Sequence, residues 1–288
     1  MDLKAIGMGL AFAFMWSSAF TSARFIVLDA SPLWALAIRF AISGGLAVGV
    51  ARALGQSWRL TRAQWGLTVL FGVCQNALYL GLNFVAMQTV EASLAAIIAS
   101  ALPLLVALAG WLIFRENLSA LGVIGLLAGF GGVALIMGTR LSGGVDLLGV
   151  LYCGIAVLAL TFATLVVRGA SSGGNILMIV GLQMLVGSAT LLIVAALFEV
   201  PRWEWSWPLT LAFTYTTLFP GLIATWVWFM LVNRIGMTRA ATFHFLNPFF
   251  GVLVAAIFLG ETLGPLDLLG VAIIAGAILV VQRERQHA

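Results

Sequence analysis

Charge is what this sequence has least of. Asp, Glu, Lys and Arg make up 8% of 288 residues, hydrophobic residues make up 62%, and the mean hydropathy is +1.14. A soluble domain carries roughly 25% charged residues. A globule of this size needs a polar surface that such a composition cannot supply, so most of the chain must face lipid. Lysine is absent but for Lys4, so a Schiff base within a helical bundle is impossible. All ten carboxylates fall outside the centres of the apolar runs, which speaks against a carboxylate proton relay. No Walker motif, HExxH, GxSxG or Cys/His ligand cluster occurs, so ATP drive and intramembrane hydrolysis have no residues to work with. Neither a catalytic residue nor a cofactor or metal is expected. The repeated filter loops and charged rings of a channel are missing too. The two cysteines, Cys74 and Cys153, stand singly in apolar runs and read as buried free thiols. The basic residues are scattered, so a pI near 9.7 does not mark a nucleic-acid surface.

What is present is a series of long apolar runs. A spanning helix needs about 20 mostly apolar residues. Reading between charges, prolines and glycine-rich breaks predicts ten: 5–26, 33–52, 64–86, 92–113, 119–138, 147–167, 175–198, 209–232, 238–259 and 265–282. The first is too long for a signal-peptide core and is read as a retained helix. The loops are short, so neighbouring helices form antiparallel hairpins. With both termini in the cytoplasm, the inside holds Lys4, Arg52, Arg59, Arg62, Arg115, Arg168, Arg234, Arg239, Arg283 and Arg285, ten in all. The outside then holds three, Arg24, Arg140 and Arg202, and Arg39 lies within the second helix. That bias matches the positive-inside rule.

The chain also repeats itself. The shift of 145 residues that carries Pro103 onto Pro248 carries Glu116 onto Glu261, Leu118 onto Leu263, Gly125 onto Gly270 and Gly131 onto Gly276. Upstream it carries Phe84 onto Phe229 and Ala95-Ala96 onto Ala240-Ala241. Helices 3 to 5 thus match helices 8 to 10, and the first two match the sixth and seventh weakly. The expected halves are residues 1–140 and 141–288, each with five helices. An odd count makes the second half enter the membrane from the opposite side. The loop between helices 8 and 9 carries Arg234 and Arg239, while its mate carries Glu91 and no base. Inverted halves are a signature of secondary transporters, which exchange two shapes about a midplane site.

The stretch Pro103 to Gly131, with Arg115-Glu116-Asn117-Leu118, and its mate Pro248 to Gly276, with Gly260-Glu261-Thr262-Leu263, resemble the paired repeats of the EamA family in the drug/metabolite transporter superfamily. Trp16-Ser17-Ser18-Ala19-Phe20 resembles its first-helix pattern, and Arg39-Phe40 its second-helix Arg-Phe. Arg115 stands where the family has glycine, a residue ill suited to a tight turn. The whole chain also resembles the YddG-type exporters of aromatic and other amino acids. The resemblance implies an all-α, ten-helix membrane protein, a cavity between the halves, and amino-acid export through the bacterial inner membrane by a monomer.

A midplane site should show as polar or aromatic residues within the spans. Helix 3 offers Gln75, Tyr79 and Asn83 on one face, with Asn76 beside them. Helix 1 offers Phe12, Trp16 and Phe20, with Ser17 alongside. Helix 9 holds His244 and Asn247 just before Pro248, whose missing N–H frees the His244 carbonyl. Tyr215 and Trp226 flank a second break at Pro220-Gly221, whose repeat mates are Gln75-Asn76. Pro103, Pro220, Gly221 and Pro248 are the hinge candidates. Each lining residue has a structural alternative: interhelical hydrogen bonds for the polar stripe and packing for the aromatics. Arg39 reads better as a structural anchor than as a carboxylate-binding residue, and Glu116 and Glu261 read as helix caps or interfacial hydrogen-bonding groups rather than contacts with solute. Gly45 with Gly49, and Gly125 with Gly129, have the spacing of close helix contacts. The functional expectation is a carrier for small metabolites, with amino acids foremost. The alternatives are a carrier for another metabolite or drug, and a non-transporting receptor or scaffold.

Overall fold

The computed structural model describes residues 3–115, 119–166 and 174–287. Glu116 and Arg168 lie outside the described residues. Ten helices are long and apolar enough to cross a bilayer: α1 (Leu3–Asp29), α2 (Pro32–Ala53), α3 (Arg62–Ala86), α4 (Ala92–Phe114), α5 (Ala120–Arg140), α6 (Leu147–Val166), α7 (Ile176–Phe198), α8 (Trp207–Ile235), α9 (Arg239–Leu259) and α10 (Pro265–Arg283). Every expected span is found, its ends within a turn of the expected ones. Among the described residues the single β pairing is an isolated bridge, Ala30 with Trp203.

Local chemistry sets the helix ends. Pro32 opens α2 in the first-turn position that needs no N–H. Thr61 and Gln64 form a reciprocal capping box at α3. The Ser206 side chain accepts the Leu209 N–H at the start of α8. The second segment of α4 ends on Arg115 at φ 53°, and that of α9 on Gly260 at φ 66°. The two hairpins therefore share a left-handed exit, although one is built with a non-glycine residue. Arg115 takes the left-handed backbone that glycine takes at the second exit.

The helices gather into two compact units. The first contains Met1–Thr21, Thr89–Leu151 and Ile223–Ala288, and the second contains Ser22–Gln88 and Tyr152–Leu222. Each draws helices from both repeats, and in each, repeat mates pack directly on one another. In the second unit, Ser188 of α7 donates to the Ala37 carbonyl of α2 at 2.8 Å. Further along α2, a Cβ on Gly44 would stand 2.9 Å from the Gly181 carbonyl, and one on Gly181 would stand 3.0 Å from that of Gly44. In the first unit, Gly132 of α5 and Gly270 of α10 meet in the same way, at 3.1 and 3.0 Å. Arg140, later in α5, reaches Asp267, earlier in α10, at 2.9 Å. In α4 and α9, Ala96 faces Gly251. In all three pairs, advancing along one helix means retreating along its mate. Antiparallel mates are what inverted halves produce.

Polar groups lock the ends of these pairs. Glu261 accepts the N–H groups of Ala92 and Ser93 at 2.8 and 2.9 Å, so it caps the start of α4 from the far end of α9. Glu199, just past α7, accepts the Leu33 and Trp34 N–H groups at the start of α2, at 3.1 and 3.0 Å. Gln56, just past α2, accepts the Met178 N–H of α7 at 2.9 Å. These groups satisfy N–H donors that every helix start leaves open, and the carboxylates also sit favourably in the helix dipole. Arg140 further ties Glu91 to Asp267, at 2.5 and 2.9 Å.

One glycine expectation needs correction. Gly125 and Gly129 do lie in a contact, against Val281 and Ala277 of α10. Gly45 and Gly49 face open space, with nothing within 4 Å of a Cβ on either. The α2 contact is made by Gly44 instead, because one residue turns a helix by about 100°. Gly181→Val should therefore lower the yield of folded protein and its Tm, since overpacking a tight contact costs about 1–3 kcal/mol. Gly45→Ala should leave the Tm unchanged or raise it, which thermal unfolding in detergent would check. Glu261→Ala should lower the Tm, because a lost cap costs about 0.5–2 kcal/mol of stability.

Candidate functional site

Four spans are broken within their length. The α3 helix turns π-helical over Gly72–Tyr79, between Arg62–Phe71 and Leu80–Ala86. The α8 helix does so over Phe219–Ile223, between Trp207–Leu218 and Ala224–Ile235. On the repeat shift the second π segment falls inside the first. Pro220 accounts for the break in α8, because it has no N–H to continue the ladder. No proline stands in the π segment of α3, so its backbone copies a break its sequence does not announce. The α4 helix stops at Ala99 and restarts at Leu102, with Pro103 in the first turn. The α9 helix tightens to a 3-10 stretch over Thr242–Leu246 and restarts at Asn247, with Pro248 in the first turn. The His244 carbonyl expected to be free accepts the Asn247 N–H, because the 3-10 turn shortens the hydrogen-bond step.

In the first unit an aromatic cluster forms around these breaks. Phe12 is buried, with its ring 4.7 Å from Trp228, 5.4 Å from His244 and 5.8 Å from Trp16, centroid to centroid. Trp228 and His244 are 5.3 Å apart. Trp16, Trp228 and His244 are half-buried. Asn247 Nδ2 lies 3.0 Å from His244 Nδ1. When Nδ2 donates, the imidazole is neutral with its proton on Nε2. Asn247 Oδ1 is then left buried without a partner, as are the Ser17 and Thr21 hydroxyls one turn apart on α1. An unmet buried acceptor costs about 1–3 kcal/mol, which a bound donor would remove. Trp226 takes no part in this cluster. Two residues from Trp228, it points to the other side of α8 and is exposed. With Trp226 and Trp228 both in the apolar run, the sequence offered no means of choosing between them.

In the second unit the polar stripe of α3 divides. The π turn inserts an extra residue, so Gln75, Tyr79 and Asn83 no longer share one α-helical face. Asn76 donates to the Gln183 carbonyl of α7 at 2.9 Å. A Cβ on Gly187 would stand 2.3 Å from the Asn76 Cβ, so this asparagine fills a helix–helix contact. Asn83 donates to the Tyr79 carbonyl at 2.7 Å and keeps Oδ1 unpaired. Gln75 is half-buried and Tyr79 buried. Tyr215 stacks on Phe219 at 5.0 Å. Arg39 is 5% exposed, with Nε buried and unpaired, and its guanidinium carbon lies 5.0 Å from the Phe40 ring centre. Among the described residues no carboxylate pairs with it.

The comparisons with known proteins agree with this architecture. The profile of the EamA-like transporter family matches residues 3–138 and again 147–283. The chain belongs to that family, and its ten spans divide five and five between the two matches. "Uncharacterized transporter sll0355" of Synechocystis sp. is 26% identical over 95% of this chain and 88% of its own length. "Uncharacterized transporter YdeK" of Bacillus subtilis is 32% identical over 87% of each. "Protein PecM" of Dickeya dadantii is 25% identical over 93% of this chain. A crystal structure with 20% sequence identity superposes on the whole chain and 99% of its own, with a TM-score of 0.71. That likeness establishes the fold alone. The protein is a multi-pass membrane transporter and not an enzyme.

Three variants separate the roles of these residues. If the cluster holds the solute, Trp228→Ala should weaken solute affinity about tenfold, since an aromatic contact is worth about 0.5–1.5 kcal/mol, whereas Trp226→Ala should leave transport unchanged. Asn76→Ala should lower the Tm without altering which solute is preferred. Solute titration by tryptophan fluorescence, alongside thermal unfolding, reads both.

Proposed function

We propose that this transporter is a secondary carrier that exports small metabolites, foremost aromatic and other neutral amino acids, through a bacterial inner membrane. It works by alternating access about a midplane site, as a monomer with both termini in the cytoplasm. The observation that carries the reading is the Phe12–Trp228–His244 cluster with the unmet Asn247 oxygen beside it. An aromatic wall accepts an apolar or aromatic side chain, and an unmet amide oxygen suits an ammonium donor. The resemblance to YddG-type exporters points to the same solutes. The paired breaks in α3 and α8, and in α4 and α9, support alternating access, because broken helices supply both hinge points and unsatisfied backbone at a site. Pro103, Pro220, Gly221 and Pro248 stand at or beside these breaks. The excess of arginine on one side supports the orientation.

Purified protein in liposomes should give saturable flux of labelled phenylalanine or leucine above that of empty liposomes. No flux for any amino acid would defeat the substrate assignment. An imposed pH gradient should leave the rate unchanged, since every acidic residue lies outside the span centres. A steep dependence would instead give His244 a coupling role. A fluorescent protein fused to the C-terminus should fluoresce in cells, and a periplasm-dependent phosphatase at the same place should be inactive.

A further inference from the structure

Arg39 differs from the other arginines whose contacts are known. Arg24 donates to the Met87 carbonyl, Arg140 pairs with Glu91 and Asp267, and Arg202 donates to the Leu28 carbonyl at 2.8 Å. Each of these ties one element to another. Arg39 is more deeply buried than any of them needs to be, at 5% exposure, yet no carboxylate pairs with it among the described residues. It stands about 10 Å along α2 from Pro32, at 1.5 Å per residue, well within a hydrocarbon core about 30 Å thick. A cation held there without an anion is costly and marks a functional position. The face of the neighbouring Phe40 ring returns only part of that cost.

The surroundings of Arg39 suit a bound anion. One turn along α2, Ser43 donates to the Thr217 carbonyl at 3.3 Å, so this face of α2 lies against the broken part of α8. At the break, Gly221 lets the chain pass close to this face: a Cβ on it would stand 3.3 Å from the Thr216 carbonyl, 3.4 Å from Ser43 Oγ and 3.6 Å from Arg39 Nη2. A planar guanidinium presents two parallel N–H donors, the complement of a carboxylate. We propose that Arg39 is the specificity residue that recognises a carboxylate on the transported solute, at the Gly221 turn of α8. The proposal rests on the carrier reading and adds to it that solutes without an acidic group are discriminated against. Arg39 then carries no structural tie, and the protein bears an unpaired charge until the solute supplies its partner.

The test uses the full-length protein in detergent, followed by thermal unfolding. The probes are L-phenylalanine, L-leucine and benzoate at millimolar concentration, each beside its amide. At least one acid should raise the Tm of the wild type, as a ligand of the folded state does, and its amide should not. Arg39→Met without ligand should unfold at or above the wild-type temperature and should lose the response to the acid. Arg39→Lys should retain a response with affinity about tenfold weaker, because the fork geometry is lost. A wild type that does not distinguish any acid from its amide would overturn the proposal, and so would an Arg39→Met protein that responds like the wild type. An Arg39→Met protein that unfolds well below the wild type, or does not fold, would make Arg39 a structural tie and overturn it too. Liposome flux separates this outcome from the carrier reading. Acids that bind through Arg39 but do not cross would sink the carrier and leave the anion site. A response to benzoate alone would remove the amino-acid assignment while leaving Arg39 in its role.

Discussion

In a bilayer, apolar helices gain little by meeting, because lipid tails are as apolar as leucine. Association then depends on how closely two backbones can approach and on the polar bonds made between them. The contacts of Gly44 with Gly181 and of Gly132 with Gly270 meet this condition, since each glycine stands where a side chain would strike the partner's carbonyl. Both contacts join a helix to its own repeat mate. The pairing that holds each unit together is thus the pairing that the duplication makes possible. The end caps follow from it. An antiparallel pair brings the end of one helix beside the start of the other, which is where Glu199, Gln56 and Glu261 find their N–H donors.

The architecture could be read from the sequence because lipid imposes a simple rule on length and charge. The number of spans, their ends and the duplication all follow from where charges, prolines and matching residues fall. The left-handed exit at Arg115 was not legible, because residues other than glycine seldom take that backbone. The choice between Gly45 and Gly44 also escaped, since spacing shows that two glycines share a face without showing which way the face points. Glu261 was read correctly as a cap, although its donors, Ala92 and Ser93, lie far away in sequence.

The candidate site was half legible for a related reason. Phe12, Trp16, His244 and Asn247 were visible as aromatic and polar residues within spans, and the structure brings them together. Trp228 was hidden by Trp226, and Thr21 by its ordinary composition. The stripe on α3 was projected on an α-helical wheel that the π segment does not obey, so Asn76 joined a helix contact while Asn83 turned back on its own backbone. Local periodicity cannot reveal a break that no proline or other residue of the segment announces. It could do so in α8, where Pro220 announces it.

Arg115 and Gly260 occupy equivalent exits, and the arginine is the worse residue for the purpose, by about 1–2 kcal/mol for a left-handed backbone. Two halves of identical sequence would have no preferred way to enter the membrane, because turning the molecule over would exchange one for the other. Arg115 makes the two exits of this chain differ, and a glycine there would give a more relaxed turn between halves that are more alike.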